Sequence, residues 1–525
     1  MNNKIYKSSL FIFYLLLFYS FYCALNSGLS IDENFHHING EVRYLYLVNI
    51  GDFDKYDFNN NRYYPGLVDT IHYILFKIIS GFLDIKFLVE IKHSINFIFA
   101  SFGLFGLFLL TKKTFNKEIA IFSCIITLLN PFYFGHMGIN PKDPVLFTFL
   151  IWTLYFLVKY LENINSDRIK YLLFLALMIG LGSNTRLTFL SLLFPVILIC
   201  LYYAWKKTQN LKLIFFDISI ILLITFLTII IVWPHFHNGG YELIFENIKE
   251  SSNWGKYIFV KYGLINGEFY EIINTPRNYI FKIVVNRLPI FIILLFISSY
   301  LVLYYKKEYL TLNTNPNSLK YFIILNIIIY WPILVVVVGK IHLYDNLRLF
   351  TFLLPFISVI SAISLWYLID DFKNSKIYIK FFVIILLFFN ILFFVRFVSI
   401  APYQYIYVNH LSAPKFNSSK NMYEHDYWLA SVGELIYKIK LKYGKDSSNL
   451  KIALCGGRAL THGYYFASVL KNFNIYDHLN ADYVIVSNRN FNQEKKTCDQ
   501  KFPGKDILNV EKNNLVLSAF RKIKK

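Results

Sequence analysis

The chain has 525 residues, 56% of them hydrophobic and 16% charged, with a formal net charge of +20. Soluble domains carry roughly 25% charged residues, and here the apolar residues fall in blocks of about 18 to 24, long enough to cross a bilayer as helices, so a soluble globular protein is excluded. Much of the basic excess lies in short connections between these blocks, where it sets orientation; with no zinc spacing, phosphate-binding glycine loop or basic aromatic-rich module beside it, the charge does not point to nucleic acid.

Lys4 and Lys7 precede an apolar run from Leu10 to about Leu25. It is long for a secretory leader and shows no small-residue cleavage pattern, so it reads as an uncleaved first span with a cytoplasmic N-terminus. An external loop, residues 28–66, follows and carries the acidic pair Asp32-Glu33. Such a pair at the mouth of a membrane bundle is costly unless solvated or paired. One carboxylate could take a proton from an attacking hydroxyl while its neighbour orients a substrate or binds a cation; the plainer reading is a solvated loop. If the chain is helical from Asn34, His36 and His37 lie beside Glu33 on one face, which leaves a divalent metal open as an alternative.

Tyr64-Pro65-Gly66 closes the loop, and Leu67–Leu83, interrupted by Asp69, His72 and Lys77, suits an interfacial helix better than a span. Clear apolar runs follow at 88–110, 118–134, 143–160, 168–184, 187–204, 212–233, 288–305, 320–338, 347–369 and 377–398, giving about eleven crossings with the first. Parity then puts Lys112, Lys113 and Lys117, Arg168 with Lys170, Lys206 with Lys207, Lys306 with Lys307, and Lys373 with Lys376 in cytoplasmic turns. Counting Leu67–Leu83 as a crossing would place them all outside.

The external connections hold the conspicuous polar residues. In His136-Met-Gly-Ile-Asn-Pro-Lys-Asp-Pro144, Asp143 reads as an N-cap with Pro144 at the first helical position, and Lys142 beside a helix N-terminus would suit an anion such as phosphate. Ser183-Asn-Thr-Arg186 interrupts an otherwise continuous apolar stretch and puts Arg186 at the external interface. Its guanidinium could bind a lipid-linked phosphate bidentately or snorkel to headgroups. In a second external loop, residues 234–287, His235 and His237 face alike only if extended. In His342-Leu-Tyr-Asp-Asn-Leu-Arg348, His342, Tyr344, Asp345, Asn346 and Arg348 could meet a sugar or phosphate, or form a turn held by an internal Asp345–Arg348 pair.

Residues 401–525 read as a small extracytoplasmic α/β domain after a transmembrane domain of residues 1–400. Tyr427–Lys442 has helical periodicity, and Lys451–Cys455 and Tyr483–Ser487 read as buried strands. Ile507–Val510 and Leu515–Phe520 flank a Glu-Lys-Asn-Asn turn as a hairpin. Cys455 and Cys498 could pair if this region is extracytoplasmic, and Cys23, Cys124 and Cys200 fall in apolar runs as packing residues.

Asp32-Glu33 after the first span, Tyr64-Pro65-Gly66 opening an interfacial helix, Asp143-Pro144 at the outer start of a span and Arg186 in a broken helix pair form an ordered set. Across residues 8–400 this set resembles the polyprenyl-phosphate-sugar-dependent glycosyltransferases of GT-C fold, the branch of the protein O-mannosyltransferases and lipid A aminoarabinose transferases. Tyr344-Asp-Asn-Leu-Arg348 with Phe350 and Pro355, Pro402–Asn409 and Asp426-Tyr-Trp428 resemble a bacterial subgroup. The resemblance implies a polytopic α-helical enzyme of the bacterial inner membrane. It would transfer a hexose or pentose with inversion from a polyprenyl-phosphate-linked sugar donor to a lipid, glycan or protein acceptor on the external face. Asp32 would act as general base, with Glu33 as its acidic neighbour. Asp143 would organise the site, and Lys142, Arg186 and Arg348 would neutralise the leaving phosphate. No cofactor is required by this scheme. The long external loop lacks the sugar-binding domain of eukaryotic O-mannosyltransferases, so a protein acceptor is not specifically implied. A transporter or flippase of a lipid or lipid-linked sugar is the alternative from another class, disfavoured by polar residues gathered at one face and by the lack of a visible repeat. An en bloc oligosaccharide transferase is the third reading.

Overall fold

The computed structural model describes residues 3–49, 66–83, 87–231, 233–237, 242, 245–246, 262–372, 375–444, 450–455, 474–475, 480–487 and 498–524. Tyr64, Pro65 and Lys373 lie outside these residues. The first ten helices are α1 (Asn3–Leu25), α2 (Ile31–Val48), α3 (Leu67–Ser80), α4 (Leu88–Thr114), α5 (Lys117–Leu128), α6 (Pro131–Ile139), α7 (Asp143–Glu162), α8 (Arg168–Thr185), α9 (Phe189–Thr208) and α10 (Leu211–Ile230). A single turn, Pro234–His237, follows. Then come α11 (Tyr279–Arg287), α12 (Ile290–Tyr305), α13 (Lys307–Asn313), α14 (Ser318–Gly339), α15 (Leu354–Asp370), α16 (Ile377–Ser399) and α17 (Ser431–Tyr443).

The chain is a polytopic α-helical membrane protein. Among the described residues eight helices are long and apolar enough to span a bilayer, or up to ten if two bent pairs each count as one. The expected run 118–134 is one such pair, α5 and α6, meeting at 74°. Asn130 accepts from Phe132 N at 3.1 Å and Pro131 starts a fresh helix, so the apolar run divides. The other is α11 and α12, bent by 112°. The expected crossing at 168–184 is α8, whose first turn carries Arg168 and Lys170 and which is not among the eight. The inner helices are distinguishable from the lipid-facing ones: 89% of the span containing α15 is buried, against 17% of α10 and α16.

Much of the polar stretch expected as loop 28–66 is helix α2. Glu33 reaches back to accept from Ser30 N at 2.8 Å, the backbone half of a capping box, and the Ser30 hydroxyl donates to Ile139 O at 2.7 Å. The latter bond ties the start of α2 to the end of α6. Gly40 lets α2 rest on α3, since a Cβ there would stand 2.2 Å from Asp69 O. As expected, α3 does not qualify as a span.

Near the C-terminus a five-stranded sheet runs in the order β4-β3-β5-β7-β6. Its strands are β3 (Lys451–Cys455), β4 (Asn474–Ile475), β5 (Tyr483–Ser487), β6 (Gly504–Lys512) and β7 (Leu515–Ile523); β1 (Tyr262–Ile265) and β2 (Glu268–Glu271) form a separate hairpin. β3 pairs in parallel with β4 and β5, and β6–β7 is the expected hairpin. A disulfide joins Cys455 to Cys498, with Cα atoms 5.8 Å apart. The sheet and α17 dock on the helical part through Tyr403 Oη to Glu434 at 3.0 Å and Asn513 Nδ2 to Ser399 Oγ at 2.7 Å.

Candidate active site

Four polar connections, far apart in the chain, meet at one end of the bundle. Arg348 is the hub. Its guanidinium contacts Asp32, 316 positions away, donates to Asp345 Oδ2 at 2.9 Å, and brings Nε to 3.6 Å from Asp143 Oδ2. Arg186 NH2 donates to Asp143 Oδ1 at 2.5 Å. Both readings of the 342–348 stretch are therefore realised together: the internal Asp345–Arg348 pair forms and also presents Arg348 to two other carboxylates.

Local structure explains each placement. Asp143 does not cap α7; Lys142 holds the N-cap position. Asn140 supplies the cap instead, its Oδ1 accepting from the backbone N of Lys142 and of Asp143 at 3.0 Å each. Its Nδ2 donates to Asp143 Oδ2 at 2.8 Å. The Asp143 carboxylate is thereby turned into the cluster with both oxygens engaged. Arg186 is the C-cap of α8, and the preceding Asn184 donates to Thr228 O at 2.9 Å, fixing that break against α10. Asp345 and Asn346 take positive φ of 55° and 60°, which reverses the chain and brings Arg348 back over Asp345.

An aromatic wall backs the hub. The Arg348 guanidinium lies 4.3 Å from the Trp428 ring centroid and 5.9 Å from that of Tyr344, within cation–π range. Trp428 Nε1 donates to His136 Nε2 at 2.8 Å, and Tyr427 Oη lies 3.0 Å from the same nitrogen. The loop carrying Trp428 is held by Asp426, which accepts from the Tyr405 and Ser431 hydroxyls and from Ala430 N at 3.1 Å. Arg287, fully buried, clamps this wall to the Arg348 loop. It donates to Ile406 O at 3.0 Å, Tyr407 O at 2.9 Å, Asn346 Oδ1 at 2.9 Å and Glu424 O at 2.7 Å.

The acidic pair divides. Asp32 faces the cluster with a quarter of its side chain exposed, whereas Glu33 is buried and faces α4. Glu33 accepts from Asn96 Nδ2 at 3.2 Å and pairs with His93 Nε2 at 3.2 Å. Successive helical positions differ by about 100°, so adjacency in sequence separates these carboxylates in space. His36 Nδ1 lies 3.0 Å from Asp69 Oδ2, which also accepts from Asn39 at 2.5 Å, and the His37 ring packs edge-on to Phe76. Glu33, His36 and His37 thus have separate partners, and among the described residues no three His, Cys, Asp or Glu side chains gather as a ligand set. His342 makes none of the hub contacts; its Nδ1 is buried without a hydrogen-bond partner. His237 stacks on Tyr46 of α2 at 5.9 Å.

Two electrostatic features remain. The Nε atoms of Arg186 and Arg348 are buried without a hydrogen-bond partner. Lys142 feels Arg186, Asp69, Asp143 and Asp32; burial first and then Arg186 push its ammonium down to about 8. Sequence reasoning did not assign Arg287, His136, Asn140 or Asp69 to the site. An arginine in the turn before a span and an asparagine three residues before Asp143 were the available signals.

The helical membrane scaffold thus carries carboxylates and guanidiniums interleaved at one mouth. Residues 91–233, which include Asp143 and Arg186, match the model of the dolichyl-phosphate-mannose-protein mannosyltransferase family. Solved structures are also similar to the chain, two of which follow. The crystal structure of ArnT from Cupriavidus metallidurans bound to undecaprenyl phosphate has 11% identity and a TM-score of 0.45, over 97% of each chain. The Archaeoglobus fulgidus oligosaccharyltransferase tethered with an acceptor peptide has 11% identity and a TM-score of 0.45, over 90% of this chain and 69% of that chain. No curated protein matches by sequence.

Proposed function

We propose that the chain is a glycosyltransferase that moves a sugar, with inversion, from a polyprenyl-phosphate-linked donor to an acceptor hydroxyl. The observation that carries this reading is the pair of guanidiniums, Arg186 and Arg348, on either side of Asp143 and next to the partly exposed carboxylate of Asp32, with the Nε of Arg186 buried and without a hydrogen-bond partner. A buried guanidinium donor without a hydrogen-bond partner favours an incoming anion. The match over residues 91–233, to a family named for a polyprenyl-phosphate-linked mannose, supports phosphate as that anion.

The chemistry follows from the contacts. The donor phosphate competes with Asp32 for Arg348, so seating the donor releases the Asp32 carboxylate. Asp32 then takes the proton of the acceptor hydroxyl, whose oxygen attacks the anomeric carbon from the face opposite the phosphate. The bond from that carbon to the phosphate oxygen breaks, and the new charge on polyprenyl phosphate falls on Arg348, Arg186 and Lys142. Asp143 holds both guanidiniums in place, and Trp428 keeps the Arg348 plane fixed. Glu33 positions Asp32 by anchoring the first turn of α2 to α4, while Tyr344, Asp345 and His342 belong to the substrate-facing loop. We further assign the site to the extracytoplasmic face of a bacterial inner membrane, with lipid, glycan or protein acceptors.

The test compares envelope lipids and glycans of cells with and without the protein, and measures polyprenyl phosphate release by the purified protein in proteoliposomes. Loss of one glycan modification and acceptor-dependent release are expected. Unchanged glycans with no release, or lipid translocation without a glycosyl product, would overturn the proposal.

A further inference from the structure

A cavity lies at the end of the bundle away from Arg348. It has a volume of about 450 Å³ and is bounded by α4, α7, α9, α14 and α15, within the 300–1,000 Å³ range of binding cavities. Its shape follows from how α9 and α14 meet. They touch near the site face, where Trp331 Nε1 donates to Ser191 O at 2.8 Å and Phe194 packs on the Trp331 ring at 6.4 Å. Towards Lys206 and Lys320 they border a crevice lined by Val196, Cys200, Ile324 and Ile328. On α9 the lining runs from Val196 to Lys206, about 15 Å of helix at 1.5 Å per residue. One leaflet's share of the hydrocarbon core is roughly 15 Å. The crevice therefore has the depth of a single leaflet.

Its mouth is polar and cationic. Lys206, Lys207 and Lys320 line it together with Tyr203, Tyr321 and Glu162. Glu162 is neutralised by Lys113 at 2.9 Å. Lys207 Nζ donates to the carbonyls of Leu161 and Glu162 at 2.8 and 3.0 Å, which fixes its charge at the rim. Lys206 and Lys320 are exposed. A lipid whose phosphate sat beside Arg348 could not also place that phosphate here, at the opposite end of the helices.

We infer that this crevice holds one anionic glycerophospholipid of the leaflet on the lysine side, its acyl chain between α9 and α14 and its phosphate on Lys206 and Lys320. The chain thus has two lipid sites of opposite orientation, the second outside the transfer site.

Native mass spectrometry of the full-length protein, purified in detergent with equimolar phosphatidylglycerol and phosphatidylethanolamine, tests this. One retained phosphatidylglycerol is expected. Lys206→Gln with Lys320→Gln lowers its retention by about fivefold per lysine, and both residues are exposed, so folding is not at stake. Ile324→Trp fills the apolar part and removes the retained lipid while the lysines stay. Equal retention of phosphatidylethanolamine, retention unaffected by either change, or no retained lipid would overturn the assignment.

Discussion

Replacing Asp32 by Asn separates chemistry from architecture at the hub. Three carboxylates, Asp32, Asp143 and Asp345, surround two guanidiniums, with Lys142 close by. When Asp32 becomes neutral, Arg348 keeps Asp345 at 2.9 Å, Asp143 at 3.6 Å and the Trp428 ring at 4.3 Å. No buried charge is left without an opposite partner, and the lost pair is a quarter exposed on the Asp32 side. Pairs of that kind contribute no more than about 1 kcal/mol, which for a chain of this size shifts Tm by no more than roughly 4 °C. A positioned general base contributes roughly 10²–10⁴-fold. The expected outcome is therefore a fall in turnover of at least about 100-fold with nearly unchanged thermal stability. The assay is initial-rate release of polyprenyl phosphate in proteoliposomes, with thermal unfolding of the same preparations. Turnover within about threefold of the parent would refute the base assignment. Collapse of Tm would refute the energetic argument, because the pair would then be structural.

Other changes read different parts of the same cluster. Arg348→Ala strips Asp32 and Asp345 of their shared cation; breaking a buried pair costs roughly 3–5 kcal/mol, so Tm and transfer both fall, while Arg348→Lys keeps the charge but loses the fork and the stacking and lowers kcat/KM by about 10²-fold. Lys142 sets a pH dependence. With its ammonium at about 8 rather than 10.5, donor KM should rise as pH passes through 8, and Lys142→Met should flatten the profile. The sign for stability is opposite: the unfolded chain keeps that proton up to the ordinary lysine range, so this group makes stability rise between pH 8 and 10.5. Glu33→Gln weakens buried bonds to Ser30, His93 and Asn96 and should lower Tm, a charged acceptor being worth about 1.5–3 kcal/mol, with turnover per folded molecule largely kept. Changing Cys455 and Cys498 to Ser opens a loop spanning 43 positions, worth about 4 kcal/mol in the chain-entropy account; limited proteolysis should then cut the C-terminal sheet region first, and equal protection would count against it.

Local pattern was enough to reveal the scaffold. Apolar block length separated α4, α7, α9, α10, α14, α15 and α16 from the interfacial α3, short apolar runs marked β3 and β5, and a polar turn between two such runs marked the β6–β7 hairpin, because helix, strand and bilayer each constrain the residues that form them over a short range. The same reading singled out Asp32, Lys142, Asp143, Arg186 and Arg348 as polar residues without an apolar purpose. Packing decided which of them meet and what each does. Asp32 and Arg348 are 316 positions apart, and no local period encodes such a contact. Glu33 turned inward because one helical step rotates it away from its neighbour; Asp143 was released from capping because Asn140 took that task; Arg287 became the clamp only when three separate segments closed around it. Short-range regularity is carried by neighbouring residues, whereas convergence depends on how whole helices cross, and that is settled when the bundle packs.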